Sequence, residues 1–114
     1  MGGVARREAK VAEEDGGVAD HPDESRFVFA AEGAEAELVY RQEGDRLILI
    51  HTGVPESLGG RGIGGQLVQF AVQRAAREGL TMVPWCPYAR RWLSEHPDVA
   101  GAASIDWDTP PPSD

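Results

Sequence analysis

A cluster of glycines lies in residues 58–67 (LGGRGIGGQL), between an apolar segment and an amphipathic one. Glycine permits positive φ angles and lets backbone N–H groups come close to a ligand. At a helix start, unsatisfied N–H groups and the helix dipole add positive character. The stretch therefore predicts a phosphate site at a helix N-terminus, to which Arg61 would add a charge-assisted contact.

Two well-known phosphate loops do not fit these glycines. A Walker A loop requires Lys followed by Ser or Thr, and this pair is absent after the glycines. A dinucleotide-binding fingerprint requires an acidic residue roughly 20 positions later, and residues 81–86 contain none. The alternative to a phosphate site is a glycine-rich connection that only allows a strand and a helix to pack closely.

Three strands are predicted before the glycines. Residues 26–30 are aromatic and β-branched, and residues 34–42 alternate between apolar and polar side chains, as a half-buried strand does. Gly44 and Asp45 form a hairpin link. Residues 47–52 are apolar on both faces, which is typical of a central strand.

An amphipathic helix is predicted to follow the glycines, because apolar residues recur at helical spacing from Ile63. Gly79 would be its C-cap. Residues 80–85 predict a short strand, and Pro87 is suited to the first turn of a second helix that ends near His96. The predicted fold is α+β, a mixed α/β sandwich of order βββαβα.

Composition bounds the organisation of the chain, which has 114 residues and a formal net charge of −8. The acidic residues are concentrated at the two ends, whereas residues 56–91 hold five arginines against two glutamates. We expect a disordered acidic arm in residues 1–22, a folded domain in residues 23–105 and a Pro-rich acidic tail in residues 106–114.

The same composition excludes several classes of protein. The acidic balance argues against nucleic-acid binding, and no apolar run approaches the ~20 residues that cross a bilayer. Cys86 is the single cysteine, so no intrachain disulfide is expected and a cytoplasmic location is favoured. The histidines and Cys86 show no zinc-binding spacing, and we predict no metal site.

Several motifs occur together in order along residues 23–99. They are His51-Thr52-x-Val54-Pro55, Gly60-Arg61-Gly62-Ile63-Gly64, Cys86-Pro87-Tyr88 and His96-Pro97. With them the chain resembles the GCN5-related N-acetyltransferase superfamily, and more narrowly its small single-domain YidJ-like branch. The coenzyme-A loop of that superfamily reads Gln/Arg-x-x-Gly-x-Gly/Ala, and Gly62-Ile63-Gly64 matches its second half.

The resemblance implies a minimal acetyltransferase-like fold with a splayed sheet and flanking helices. Acetyl-CoA or coenzyme A would bind where the third and fourth predicted strands separate, with the thioester carbonyl facing a backbone N–H near Val54. The pantetheine arm would run along Thr52, Gly53 and Val54. The residues implied to hold the phosphates are Gly59, Gly60, Arg61, Gly62, Ile63, Gly64, Gly65 and, from the second helix, Arg90.

The chain departs from the family pattern at two positions. Gly59 stands at the Gln/Arg position of the loop, which removes one contact to the phosphates that Arg61 could replace. Gly53 stands where relatives often carry Glu, so a carboxylate that could act as general base is absent. His51 or a water molecule is then left as the base.

Three residues are candidates for the chemistry. Cys86 could accept the acetyl group as a thiolate, or be a small buried apolar residue. Tyr88 could protonate the departing thiolate of coenzyme A, or pack as an aromatic at the rim of the core. His51 could be a base, or a hydrogen-bonded core residue. Arg90 could contact the cofactor phosphates, or be a solvated residue of its helix.

The resemblance predicts a monomeric acetyl-CoA-dependent enzyme that acetylates an amine, including the lysine of a protein or peptide. Transfer would be direct or would pass through Cys86. The alternative function is a non-catalytic module that binds coenzyme A as a sensor or in an interaction, and a third interpretation is a purely structural domain.

Overall fold

Six strands form one mixed sheet in the computed structural model, which describes residues 17–112. They lie across the sheet in chain order: β1 (Val18–His21), β2 (Arg26–Ala31), β3 (Ala34–Glu43), β4 (Arg46–Gly53), β5 (Thr81–Pro84) and β6 (Ser104–Ile105). The strands β1 to β4 are antiparallel, whereas β4, β5 and β6 are parallel. The predicted mixed α/β fold is confirmed.

The helices lie in the connections that parallel pairing requires. A 3-10 helix (Glu56–Leu58) and α1 (Ile63–Glu78) join β4 to β5, and α2 (Pro87–Glu95) and α3 (Pro97–Ala100) join β5 to β6. Gly79 ends α1 in the left-handed conformation, and Pro87 is the first residue of α2, both as predicted. None of the described helices is long and apolar enough to cross a membrane.

One face of the sheet carries the main core. Alternate residues of β2, β3 and β4 place Phe27, Leu38 and Leu49 on this face, where they are fully buried. The apolar stripe of α1 and residue Leu93 of α2 complete the same cluster. The apolar residues that alternate along the strands and those that recur every 3.6 residues in α1 therefore pack into a single core.

A β-bulge in β4 changes which side chains face this core. Leu49 is opposite Tyr40 and His51 is opposite Val39, so Ile50 has no opposite residue. The extra residue reverses the alternation of the strand. Thr52 therefore shares the core face with Leu49, whereas His51 faces the other side of the sheet.

The sheet opens between β4 and β5 just beyond this bulge. Their pairing ends at Leu49 and Pro84, and the N–H groups of Trp85 and Cys86 both donate to the Leu49 carbonyl, at 3.0 and 2.9 Å. No further residue of β5 pairs with β4 in the described part of the chain. The edge of β4 from Ile50 to Gly53 is therefore open, and β4 and β5 separate at the place that the family resemblance implied.

The strand β1 corrects the boundary of the predicted N-terminal arm. The sequence predicted residues 18–21 to be part of a disordered arm, but all four residues pair with β2. Asp20 explains why so polar a segment joins the sheet. Its carboxylate accepts hydrogen bonds from Tyr40 at 2.5 Å and from the Arg74 guanidinium at 3.1 Å. Residues 1–16 of the predicted arm lie outside the described residues.

The start of the predicted C-terminal tail is bound to the domain. Asp106 forms an ion pair with Arg46 and accepts hydrogen bonds from the backbone of residues 108 and 109. The Trp85 indole donates to the Thr109 carbonyl at 2.9 Å, and Arg90 donates to the Trp107 carbonyl at 2.7 Å. The ordered chain therefore continues past the predicted boundary at residue 105. Residues 113 and 114 lie outside the described part.

Candidate functional site

An open cleft of about 400 Å³ lies between the end of β4 and the start of α1. It is bounded by the open edge of β4 on one side and by the N-terminus of α1 on the other. Tyr88 of α2 also lines it. The lining residues are Thr52, Val54, Pro55, Glu56, Leu58, Gly59, Gly60, Gly62, Ile63, Gly64 and Tyr88.

The N-terminus of α1 presents unpaired donors to this cleft. Gly62 is the N-cap in the left-handed conformation, with φ of 72°, and Gly60 has φ of 78°. The first hydrogen bond of the helix runs from the Gln66 N–H to the Gly62 carbonyl, at 3.1 Å. The N–H groups of the three residues between them have no partner within the helix, which suits an anion.

Two further glycines of α1 make room for α2. A Cβ atom added to Gly64 would lie 2.7 Å from the Tyr88 hydroxyl, and one added to Gly65 would overlap the Trp92 indole. The Trp92 ring is in turn stacked on His96, with centroids 3.9 Å apart. The alternative to a phosphate site in the sequence was a connection that packs a strand against a helix, whereas Gly64 and Gly65 allow two helices to pack closely. The phosphate site stays a prediction. Gly64 lines the cleft, whereas Gly65 does not.

Cys86 lies beside the cleft but is 3% exposed. It is the N-cap of α2, and its Sγ atom is 3.2 Å from the Thr52 Oγ1 atom. The contact joins the end of β4 to the start of α2, across the separation of β4 and β5. Cys86 therefore lies between β5 and α2, with its thiol in a hydrogen bond to Thr52.

Tyr88 lines the cleft and is 44% exposed. Its hydroxyl lies over the first turn of α1, next to Gly64. Partial burial, and then the negative charge that Cys86 and Glu95 can carry, raise the pKa of Tyr88 above its ordinary value of 10.0. The phenol therefore keeps its proton at neutral pH and can act as an acid.

Arg61 is exposed and bound to an acidic residue. Its guanidinium makes two hydrogen bonds to the Glu32 carboxylate, at 2.9 and 3.1 Å. Glu32 is in the turn between β2 and β3, where its φ is 55°. Hydrogen bonding to Arg61 and the charge of its guanidinium lower the pKa of Glu32. The sequence did not reveal this pair, because its members are 29 positions apart.

Three other candidate residues lie outside the cleft lining, namely Arg90, His51 and Gly53. Arg90 contacts the Pro84 and Trp107 carbonyls, and its guanidinium lies 5.5 Å from the centre of the Trp107 ring. His51 is exposed on the opposite face of the sheet, because the bulge at Ile50 precedes it. Gly53 follows on that same face. Among residues 17–112, no group of three or more potential metal ligands occurs.

Three residues of the lining were not among the candidates, namely Pro55, Glu56 and Leu58. They belong to the short connection that carries the 3-10 helix. Leu58 is fully buried and fixes this connection to the core. Its position directly before the glycines was the one available signal, since an apolar residue in a polar loop indicates an anchored loop.

Comparison with known proteins agrees with this geometry. A family model described as GCN5-related N-acetyltransferase matches residues 26–102, about two thirds of the chain. The chain belongs to this family. No curated protein sequence matches. The matched region contains β2 to α3, and with them every residue that lines the cleft.

A solved structure supports the fold. The chain is similar to the solution NMR structure of a GCN5-like candidate N-acetyltransferase from Staphylococcus aureus, with a TM-score of 0.62 and 24% sequence identity. The similarity covers 80% of this chain and 90% of the other. The fold is therefore that of the family, and family membership makes the protein an acetyltransferase.

Proposed function

We propose that the protein transfers the acetyl group of acetyl-CoA to a primary amine, directly and without an acetylated cysteine. One observation supports the proposal above all. The open edge of β4, the unpaired donors of α1 and the Tyr88 phenol border a single cleft. Each of these three features has a separate task in acetyl transfer, and the fold brings them together.

The start of α1 fits the phosphates of coenzyme A. The N–H groups of Ile63 and Gly64 point out of the helix start, and the helix dipole favours negative charge there. Gly60 and Gly62 carry no side chain that would keep a phosphate away from the backbone. The nearby Arg61 can add a charged contact once it leaves Glu32.

The open edge of β4 fits the pantetheine arm and the thioester. Backbone groups of residues 50–53 have no partner on the β5 side, so an extended chain can pair with them as an added strand. Acetyl-CoA supplies the activated acetyl group when it is bound. A backbone N–H near Val54 would polarise the carbonyl, which stabilises the negative charge that develops on its oxygen.

The direct route is favoured by the burial of Cys86. Its thiol is 3% exposed, does not line the cleft and is hydrogen-bonded to Thr52. An acetyl group on this sulfur would need space that the core occupies. Tyr88 does line the cleft, with a raised pKa that keeps its proton available. We assign it the protonation of the departing thiolate.

The test is a thermal-shift titration of the full chain with coenzyme A and acetyl-CoA. A ligand that binds the native state alone stabilises it by about 2.7 kcal/mol at a hundredfold excess over Kd. Release of free coenzyme A is then followed with a thiol reagent during incubation with amines and lysine peptides. Tyr88→Phe should bind coenzyme A as the wild type does and turn over more slowly.

Two outcomes would contradict the proposal in different ways. If coenzyme A raises the melting temperature and no amine or lysine peptide is acetylated, the protein is a non-catalytic binding module. If neither ligand at millimolar concentration changes the melting temperature, the cleft has no role in coenzyme-A binding. The cytoplasmic location and the monomeric state stay predictions from the sequence.

A further inference from the structure

Gly53 has two reactive side chains beside it. Glu37 of β3 is directly opposite Gly53 of β4, and both face the side of the sheet away from α1. A Cβ atom on Gly53 would lie 3.3 Å from the His51 Nε2 atom and 4.0 Å from the Glu37 Oε2 atom. A carboxylate and an imidazole therefore border the space that the missing side chain leaves.

One oxygen of the Glu37 carboxylate accepts a hydrogen bond, and the other oxygen can accept one from a ligand. Its Oε1 atom accepts a hydrogen bond from the Arg26 guanidinium at 3.0 Å. Among residues 17–112, Arg26 is its one partner, so the Oε2 atom remains available. The Glu37 side chain is one-third exposed and His51 is more so. The other charged groups near Arg26 are Glu24 and Glu35.

This pair is separated from the cleft by the backbone of one strand. Thr52 lies on the cleft side of β4, and Gly53 follows it with no side chain on the other side. The edge of β4 is open here, because its pairing with β5 ends at Leu49. On the face away from α1, Glu37 and His51 border the space above Gly53, so a substrate bound over the end of β4 on this face can contact both.

We infer that Glu37 and His51 form the acceptor side of the active site, and that the acceptor is a cationic primary amine. The inference rests on the proposed acetyl transfer. The Glu37 carboxylate binds the ammonium group, and His51 Nε2 removes one of its protons. In this way Glu37 of β3 supplies the carboxylate that Gly53 of β4 lacks.

The proton and electron balance of the step is complete. His51 becomes an imidazolium, and the amine that forms uses its lone pair to make a C–N bond to the acetyl carbon. The C–S bond breaks as this bond is completed. The nitrogen loses its second proton to water, and Tyr88 gives its proton to the leaving thiolate and regains one from water. Exposed His51 returns its proton to solvent, so the net reaction releases one proton from the ammonium group.

The experiment compares three variants in acetyl transfer from acetyl-CoA to a lysine-containing peptide and to the neutral amine aniline. Glu37→Gln should lower kcat/KM for the lysine peptide roughly tenfold or more and change aniline less, since the lost charge attracts only the cation. His51→Gln should lower kcat for the lysine peptide and change aniline less, because neutral aniline carries no ammonium proton for His51 to remove. Glu35→Gln is the matched control, because it lies on the same strand face and also contacts Arg26.

Acetyl-CoA binding by thermal shift separates this inference from the proposed function. Each variant should be stabilised by acetyl-CoA as strongly as the wild type is. If the wild type acetylates the peptide and Glu37→Gln does so equally well, the inference is wrong and the proposed function stands. An equal loss in Glu35→Gln would also overturn it, because the effect would then be one of general surface charge.

A binding measurement keeps the inference testable whether or not turnover is observed. The lysine peptide is titrated into the ¹⁵N-labelled protein with coenzyme A present. We expect shifts of the amide signals of Glu37, His51 and Gly53 that are absent in Glu37→Gln. Shifts that leave these three signals unchanged, or the absence of any shift at millimolar peptide, would overturn the inference.

Discussion

The Thr52 hydroxyl and the Cys86 thiol lie 3.2 Å apart, across the point where β4 and β5 separate. This contact ties the end of β4 to the N-cap residue of α2. One of the two groups donates the hydrogen bond and the other accepts it; the Cys86 thiol is buried, whereas Thr52 is half-buried and lines the cleft. The pair therefore links the open edge of β4 to the helix that carries Tyr88.

The first prediction concerns the role of this pair in the chemistry. Cys86→Ala should retain acetyl transfer within about threefold, because the amine attacks the thioester directly. Thr52→Val should cost about 1 kcal/mol of stability through the lost hydrogen bond. Intact-mass spectrometry of the wild type after acetyl-CoA treatment should show an unmodified Cys86. An acetylated Cys86 together with an inactive Cys86→Ala variant would establish the two-step route instead.

The second prediction concerns the ion pair between Glu32 and Arg61. Glu32→Gln should free the guanidinium and strengthen coenzyme-A binding about two- to fivefold, since an exposed ion pair holds the guanidinium only weakly. Titration calorimetry at low and high salt should show the gain shrinking as salt rises. Glu35→Gln removes the same charge on the same hairpin without a contact to Arg61. An equal gain in that control would mean that local charge alone is responsible.

The third prediction concerns the two glycines that face α2. Gly65→Ala should destabilise the protein by about 1–3 kcal/mol, because the Trp92 ring is stacked on His96 and cannot easily move. Gly64→Ala should cost less stability, since the half-exposed Tyr88 ring can swing away, but it should slow turnover. Urea unfolding measures the first effect and kcat the second. Gln66→Ala, at an exposed position of the same helix, should change neither; a Gly65→Ala variant as stable as Gln66→Ala would contradict this packing.

The fourth prediction concerns alkaline pH and the network that holds β1. Burial, followed by the hydrogen bond to Asp20 and the negative charge of that residue, raises the pKa of Tyr40 to about 12. The unfolded chain loses this proton near its ordinary pKa of 10.0, before the folded protein does. Stability that is fully present below pH 10 should therefore fall as the pH rises to 12, by on the order of 2 kcal/mol.

Replacement of Tyr40 by Phe should remove most of this alkaline loss, as followed by urea unfolding between pH 8 and pH 12. Asp20→Asn should lower stability by about 2 kcal/mol at neutral pH, because the buried Arg74 loses one of its charged partners. A Tyr40→Phe variant that loses stability as steeply as the wild type would show that another group controls the alkaline transition.

Much of the fold was readable from local patterns. Period-two alternation identified β3, the helical spacing after the glycines identified α1, and Gly79 and Pro87 marked a helix end and a helix start. The predicted order lacked the 3-10 helix, α3 and the strands β1 and β6, and these two strands are short and polar edge strands. Their stability comes from partners distant in the chain, such as Arg74 for Asp20, and no local pattern carries that information.

The cleft, too, was predictable from the sequence only in part. The sequence by itself determined that glycines begin a helix after a buried strand, because backbone freedom and helix polarity are local properties. Only the tertiary structure decided which side chains meet there. The one-residue bulge at Ile50 turned His51 away from the cleft and Thr52 toward Cys86, and strand pairing brought Glu37 beside Gly53. A bulge and a register depend on hydrogen bonds between distant segments, so the three-dimensional fold alone decides them.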